Sequence, residues 1–304
     1  MKILVTGGAG FIGSALSNKL IELNYQVFVV DDLSRGKREN LKPKIKFFKE
    51  DIRSKKSSVI MKKIKPDVIF NLAAQSSISQ SLNNPKKDFE INLLATQNLI
   101  ETAYKIKVKK FIFASSAAVY GESKKLPVDE DSPKNPISIY GLSKLSSEFL
   151  LSIAKNINNL QFVSLRYSNV YGENQDSSAE GGVVAIFIKK ILENKTVTIY
   201  GDGKQTRDFI HVSDVIDANL TVLNKNIIGE FNVSTGRQTT INDLYLLLLK
   251  IAGVDAKKRY QPFPNPEVKN SSLSPSRLND AANWLANVSL RQGLSKTFQF
   301  FKNL

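Results

Sequence analysis

The chain has 304 residues, 43 of them basic and 28 acidic, for a formal charge of +15, with no cysteine and one histidine. That length serves one large domain or two ordinary ones. A composition 42% hydrophobic and 23% charged is globular, with no run long enough to span a bilayer. Disulfides and thiolate chemistry are excluded, and no metal site is expected; the lysines are scattered in short clusters such as Lys62-Lys63 and Lys109-Lys110, which points away from nucleic acid and toward an anionic small substrate.

The chain enters a β-rich run over 2–5 at once, with no secretory or transit pattern, so a cytoplasmic location is expected. The run breaks into Gly7-Gly8-Ala9-Gly10-Phe11-Ile12-Gly13, and a helical pattern follows with Ala15, Leu16, Leu20 and Leu23. Gly8-x-Gly10-x-x-Gly13 between strand and helix fits the dinucleotide fingerprint: glycines permit the tight turn and the close approach of a pyrophosphate, and the helix N-terminus faces the anion. A second strand over 26–30 ends at Asp31, about 20 residues past the glycines. A carboxylate there accepts hydrogen bonds from a ribose 2′-hydroxyl and repels a 2′-phosphate. NAD is favoured over NADP, a preference that Arg35, Lys37 and Arg38 soften.

Strands are then expected over 45–48 and 67–72, the latter ending at Ala73-Ala74, where small residues let a ligand approach the backbone. An amphipathic helix over 92–104, a strand over 110–114, a helix starting near Tyr140 and a strand over 160–166 continue the alternation. This order predicts an α/β fold, a Rossmann-type doubly wound parallel sheet over 1–172, with a smaller mixed substrate-binding region over 173–304. Segments near 205–235 are expected to return to the sheet. In the second region the pattern gives helices over 184–192, 241–252, 278–285 and 290–301, strands over 197–200 and 209–212, and an irregular proline-rich stretch over 261–275.

Tyr140-Gly141-Leu142-Ser143-Lys144 places a phenol and an ammonium at i and i+4 on one helical face. A free tyrosine titrates near ~10, so it becomes a useful base only where cations favour the phenolate; Lys144 and an oxidised nicotinamide are expected to do so. Ser116, at the end of the preceding strand, is positioned to hydrogen-bond the same substrate hydroxyl, with Ser115 beside it as the alternative. His211 sits in an apolar strand and reads as structural.

These motifs, with Asp51-Ile52, Leu72-Ala73-Ala74-Gln75, Val119-Tyr120-Gly121, Arg166-Tyr167-Ser168-Asn169 and Gly201-Asp202-Gly203 running on to Arg207-Asp208-Phe209, resemble the extended short-chain dehydrogenase/reductase family nearly end to end. The likeness extends in particular to its nucleotide-sugar 4-epimerases of the UDP-glucose and UDP-N-acetylglucosamine type. The resemblance implies Ser116, Tyr140 and Lys144 as catalytic residues. It implies that Gly7, Gly10 and Gly13 hold the pyrophosphate, Asp31 the adenosine ribose, Asp51 and Ile52 the adenine, and Lys144 the nicotinamide ribose, with Phe11, Ile12, Asp32, Leu72, Ala73 and Ala74 completing the site. Asn169 and Arg207 would hold the diphosphate of a UDP-sugar. Ser271 falls where glucose-restricted members carry a bulky tyrosine, leaving room for an N-acetyl group. A homodimer through helices about 92–104 and 140–155 is also implied.

Related dehydratases keep Asp-Glu just after the Ser/Thr position, and decarboxylases a Glu; this chain has Ala117-Ala118. Without an acid and base for elimination, the 4-keto intermediate is left to rotate and take the hydride back on its other face. That predicts NAD-dependent 4-epimerisation; the alternatives are a 2-epimerase, an NADP-dependent 4-keto-sugar reductase, or a non-catalytic NAD-binding regulator. The family's Arg-Pro-Gly-Asp/Glu pattern is replaced by Pro264-Asn265-Pro266-Glu267, with Arg259 or Arg277 as candidate substitutes for the arginine, and Asn71 stands where many relatives have histidine.

Overall fold

The computed structural model describes residues 1–178, 181–263 and 267–304. The chain runs β1 (Lys2–Thr6), α1 (Phe11–Glu22), β2 (Gln26–Asp31), β3 (Lys46–Lys49), α2 (Lys55–Ile64) and β4 (Val68–Asn71). It continues with α3 (Ile78–Asn83), α4 (Pro85–Phe89), a π-helical turn (Glu90–Leu94), α5 (Ala95–Lys105), β5 (Lys110–Ser116), α6 (Ile139–Asn158), β6 (Phe162–Tyr167) and β7 (Asn169–Tyr171). Then come α7 (Val183–Leu192), β8 (Val197–Tyr200), β9 (Thr206–Arg207), β10 (Phe209–His211), α8 (Val212–Asn224), β11 (Gly229–Val233) and β12 (Thr239–Thr240). The last elements are α9 (Ile241–Ala252), β13 (Lys258–Gln261), α10 (Ser276–Ala282) and α11 (Leu290–Lys302).

Seven strands form one parallel sheet in the order β11-β6-β5-β4-β1-β2-β3. Its strands are apolar on both faces because both are covered. Ile3, Val5, Val27, Val29 and Phe70 point into one core, with Leu16 and Leu20 of α1 and Val215 and Val222 of α8. The alternate residues Leu4, Phe28, Ile69, Phe111 and Phe113 point into the other, with Met61, Leu99 and Leu151. A third core joins α7, α9 and α11 around Phe187, Leu248 and Phe298. Strand order reverses between β1 and β4, and the crevice beyond their C-terminal ends is where such sheets bind ligands.

Helix starts follow local chemistry. Ser54, Ser77, Ser138 and Thr240 each accept a backbone N–H at the N-cap of α2, α3, α6 and α9, and Asn84 does so for α4 with Pro85 at its first position. The expected helix over 92–104 is preceded by two short helices and begins as a π turn, and α2 and α8 fill stretches given no helix from sequence. The strand expected over 209–212 stops at His211, which is buried and caps α8 through its ring; β11 does return to the main sheet, beside β6. The helix expected over 278–285 ends at Ala282, because Asn283 turns left-handed (φ 56°) and tucks Trp284 into the core.

Asp208 ties the C-terminal region together. Fully buried, it accepts from Thr235 N (3.0 Å), Thr235 Oγ1 (2.6 Å), Gly236 N (3.0 Å) and Leu273 N (3.3 Å). Asp208→Ala orphans those donors and should cost on the order of 3 kcal/mol, read as a lower urea midpoint with unchanged slope.

Candidate active site

The chain leaves β1 through Gly7, whose φ of +66° suits glycine, and enters α1 at Gly10, an N-cap without a capping side chain. Phe11, Ile12 and Gly13 therefore bring their N–H groups, and the positive end of the helix dipole, to the edge of a cleft of about 1330 Å³. A Cβ on Gly13 would lie 2.1 Å from Gly7 O, and one on Gly7 2.6 Å from Ala73 N; one on Gly10 would meet nothing nearer than Gly7 O at 3.4 Å. The turn is thus packed solid behind and open in front. This cradle fits a pyrophosphate.

Asp31 ends β2 at the same cleft, its carboxylate fixed by Ala9 N (2.9 Å) and Leu33 N (2.8 Å); burial raises its pKa while those donors hold it down. Asp32 is exposed and turned to Ser34 N (2.9 Å) and Oγ (2.6 Å). The Asp51 carboxylate is already gripped by Arg53, Nη2 to Oδ2 at 2.6 Å, which lowers its pKa. A ligand there meets an engaged carboxylate, a partner not expected from sequence. Ile52, Leu72, Ala73 and Ala74 line the same cleft.

Tyr140 lies in the first turn of the 20-residue α6. That turn packs so closely on the one carrying Ala118 that a Cβ on Gly141 would fall 2.4 Å from Ala118 O. Ser116 lines the cleft with Tyr140 and accepts from Ala118 N (3.2 Å), while Ser115 spends its hydroxyl on buried Glu148 (2.6 Å), which leaves Ser116 as the serine available to the phenol. Lys144 donates to Ala114 O (2.8 Å), and its Nζ lies 5.8 Å from the Tyr140 ring centre. Burial pushes Tyr140 up to about 12, with the Ser116 hydrogen bond opposing and Asp88 reinforcing. Burial pushes Lys144 down to about 8, with Asp88 and Glu148 opposing. Burial thus outweighs what favours the phenolate in the protein alone, and the expected pairing of Lys144 with a cationic nicotinamide supplies the opposing charge.

Beneath this pair is a buried polar layer that sequence reasoning missed. Glu148 pairs with Arg166 (2.7 Å), Arg166 donates to Tyr120 Oη (2.9 Å), and Tyr120 donates to Asn232 (2.7 Å). Asp88 accepts from Ser143 (2.7 Å) and from Gln75 (3.0 Å). Short polar residues on amphipathic stretches read as solvated faces, and nothing local distinguishes these.

Across the cleft, Arg207 is not paired with Asp208 or Asp202. Its Nη1 donates to Thr206 O (2.7 Å) and its Nη2 to the Glu267 carboxylate. Asn169, Ser271 and the half-exposed ring of Tyr200 line the same end, and Ala117 and Ala118 bring no carboxylate to the cleft. Neither candidate substitute arginine reaches it: Arg259 donates to Thr198 Oγ1 (3.1 Å) and Arg277 pairs with Asp131 (2.6 Å). Pro264, Asn265 and Pro266 lie outside the described residues. Asn71 is fully buried between Thr6 (2.6 Å) and Thr96 (3.1 Å), and so is a core residue. His211 is held by Ser213 Oγ (2.8 Å), faces Glu173 (3.3 Å) and is not part of the cleft lining. No group of three or more metal-binding side chains occurs among the described residues, and no helix among them is long and apolar enough to cross a membrane.

A parallel sheet with a glycine cradle at its switch point, and beside it a partly buried tyrosine over a buried lysine, defines a nicotinamide-dinucleotide-dependent enzyme of the Rossmann type. Residues 3–234 match the model of the NAD dependent epimerase/dehydratase family, and the chain belongs to that family. It is similar to the Thermotoga maritima UDP-glucose 4-epimerase solved with UDP-glucose (42% identity, TM-score 0.98, covering 100% of this chain and 99% of that one). It is also similar to the Thermus thermophilus UDP-glucose 4-epimerase solved with NAD (37%, 0.95, 99% and 99%). A third likeness is to the Methanobrevibacter ruminantium UDP-N-acetylglucosamine 4-epimerase solved with UDP-N-acetylmuramic acid (34%, 0.94, 99% and 97%).

Two glycines separate binding from folding. Gly10→Ala should keep its unfolding midpoint and lose about tenfold or more in NAD affinity, because its methyl enters the cleft; Gly13→Ala should lower the midpoint as well, by on the order of 2 kcal/mol. Isothermal titration and thermal melts check both.

Proposed function

We propose that the protein is an NAD-dependent 4-epimerase of a UDP-hexose, interconverting the glucose and galactose forms and accepting the N-acetylated pair. The observation that carries this reading is the Ser116, Tyr140 and Lys144 set at a dinucleotide cleft whose facing turn, Ala117 and Ala118, has no carboxylate to drive elimination. Residues 1–172 with the returning segment would hold the cofactor and most of 173–304 the sugar nucleotide.

When bound, NAD supplies the acceptor, and later the donor, of the hydride at the sugar's C4. Tyr140 Oη takes the proton of the C4 hydroxyl, and Ser116 Oγ, on the same stretch of the cleft, orients that hydroxyl. Lys144 keeps donors free beyond its bond to Ala114 O, for the nicotinamide ribose and for the phenolate's field. Loss of hydride and proton leaves a 4-keto sugar; hydride returned to the other face of C4 and a proton returned from Tyr140 to O4 give the inverted alcohol. Arg207 grips the diphosphate once Glu267 gives way, Asn169 adds a donor, and the Tyr200 ring offers a flat face to the base. Ser271, with its backbone N–H bonded to Thr206 O (3.1 Å), presents a short side chain where an N-acetyl group would project.

We also propose a homodimer. Leu142, Phe149, Ile153 and Ile157 form an apolar stripe along α6, with Phe149 61% and Ile157 74% exposed. The solution mass should be twice 33.9 kDa, and Phe149→Asp with Ile153→Asp should yield monomer by light scattering.

Incubation with UDP-glucose and no added cofactor, read by chromatography, should give UDP-galactose. Tyr140→Phe should lose about 10²–10⁴-fold in kcat with NAD still bound; unchanged turnover would reject the mechanism. Ser271→Tyr should lower conversion of UDP-N-acetylglucosamine far more than that of UDP-glucose.

A further inference from the structure

Asp88, near the end of α4, is fully buried. Its Oδ1 accepts from Ser143 Oγ (2.7 Å), and Ser143 sits on α6 between Tyr140 and Lys144. Its Oδ2 accepts from Gln75 Nε2 (3.0 Å), and Gln75 directly follows Leu72, Ala73 and Ala74 at the cofactor side of the cleft. Asn92, from the π turn, closes the lattice: it exchanges bonds with the Gln75 backbone (2.9 Å each) and donates to Ser143 Oγ (3.3 Å). One carboxylate thus joins the helix carrying the Tyr/Lys pair to the loop that meets the dinucleotide.

The distribution of charge is equally specific. Lys144 is 2% exposed, and burying an unbalanced ammonium is costly. Two buried carboxylates flank it, Asp88 through its bond to the adjacent Ser143 (2.7 Å) and Glu148 one turn on along α6, and both hold its pKa up against burial. Glu148 is bound twice by Arg166, through Nε (2.9 Å) and Nη2 (2.7 Å), so that pair is neutral as a unit. Both hydrogen-bond donors to Asp88 are uncharged. Other charged groups on the elements packed against α6 are occupied elsewhere or exposed. Lys86 and Lys87 are exposed, Glu90 pairs with Arg53 (3.5 Å), Glu101 with Lys105 (3.9 Å), and Lys110 donates to Val222 O (2.9 Å) and Lys225 O (2.5 Å). The phenols of Tyr120 and Tyr167 are neutral, raised by burial.

We propose that Asp88 is a positioning residue for the reaction: the counter-charge of the buried Lys144 ammonium and the brace between the α6 face bearing Tyr140 and the loop bearing Gln75. It makes no contact with the reacting groups itself: it acts on the Lys144 ammonium through space, and on α6 and the Gln75 loop through its bonds to Ser143 and Gln75. Its importance for turnover rests on the reading of Tyr140 and Lys144 given above; its electrostatic role does not.

The test uses the full chain loaded with NAD. The Lys144 signal in NMR of selectively labelled lysine side chains is assigned by its loss in Lys144→Met and titrated from neutral to alkaline pH. In Asp88→Asn, Lys144 should release its proton at a pH lower by about one unit or more. The alkaline fall of kcat should move with it, and KM for UDP-glucose should hold. Ser143→Ala removes a hydrogen bond and keeps the charge, so kcat should drop while the titration stays. A Lys144 titration unmoved in folded Asp88→Asn overturns the proposal. Should that variant not fold, chemical denaturation of Lys144→Met with and without Asp88→Asn decides: removing both charges should give a higher midpoint than removing Lys144 alone, and a further fall overturns the idea. Both readouts are independent of turnover, so an enzyme that converts no nucleotide sugar would sink the functional reading and leave this result standing.

Discussion

One ammonium kept charged out of water sets the terms for the rest of the cleft. Lys144 has its Nζ on Ala114 O and stands 4.7 Å from the Phe113 ring centre, so nearly everything that stabilises its charge is protein. Hence the buried polar layer under β5 and β6. The Glu148 and Arg166 pair, Tyr120, Asn232 and Glu130 form a bonded set in which Asn232 N donates to Glu130 (2.7 Å) and Tyr120 sits between an arginine and an amide. Such a layer contributes little net stability, since desolvation offsets most of its Coulomb attraction, but a half-made version would be far worse than an apolar one. The layer therefore fixes where α6 lies on the sheet, and with it the height of Tyr140 above the cleft floor.

The opposite wall is built from backbone rather than charge. Gly7, Gly13 and Ala73 pack at distances that leave no room for a larger residue behind the turn, and the uncapped α1 N-terminus is the one face left open. A rigid dipole on this side and a desolvated phenol on the other are complementary. The first attracts the anionic part of a dinucleotide. The second, high in pKa when alone, becomes acidic only when a cationic ring is brought beside it. Under the proposed function, binding of the dinucleotide and activation of the base would therefore go together.

The sequence carried most of this architecture because a parallel sheet covered on both faces writes itself as apolar runs between helices: β1, β2, β5 and β6 and the helices α6, α7, α9 and α11 stand at or within a few residues of their expected places. The extra helices α2 and α8 do carry an apolar period, Met61 and Ile64 in the first and Val215, Ala218 and Val222 in the second, but α2 is lysine-rich, and the π turn leaves no periodic mark. Residues expected at the cleft from the glycine motif, the Tyr-x-x-x-Lys pair and Arg207 do line one cavity. What could not be read was partnership at a distance. Asp51 with Arg53 is local, but Arg207 with Glu267 and Asp88 with Ser143 join residues far apart in sequence, and only the fold decides which carboxylate meets which donor.

That last pairing of Arg207 bears on how an anionic substrate enters a chain of formal charge +15. The net charge draws anions in, but long-range attraction does not discriminate between a sugar nucleotide and any other phosphate. Arg207 is largely buried, and its guanidinium is already satisfied by Glu267 and two backbone carbonyls. An incoming phosphate has to outcompete a charge-assisted hydrogen bond that is already made. A lone phosphate replaces one anion by another for little net gain, since it forms a similar contact and loses its own water. Under the proposed function, a nucleotide diphosphate would bring additional contacts to the Tyr200 ring and Asn169, which line the same cleft, and would return the half-exposed Glu267 to solvent. Selectivity at this end of the cleft then comes from the parts of the ligand that lie beyond the diphosphate.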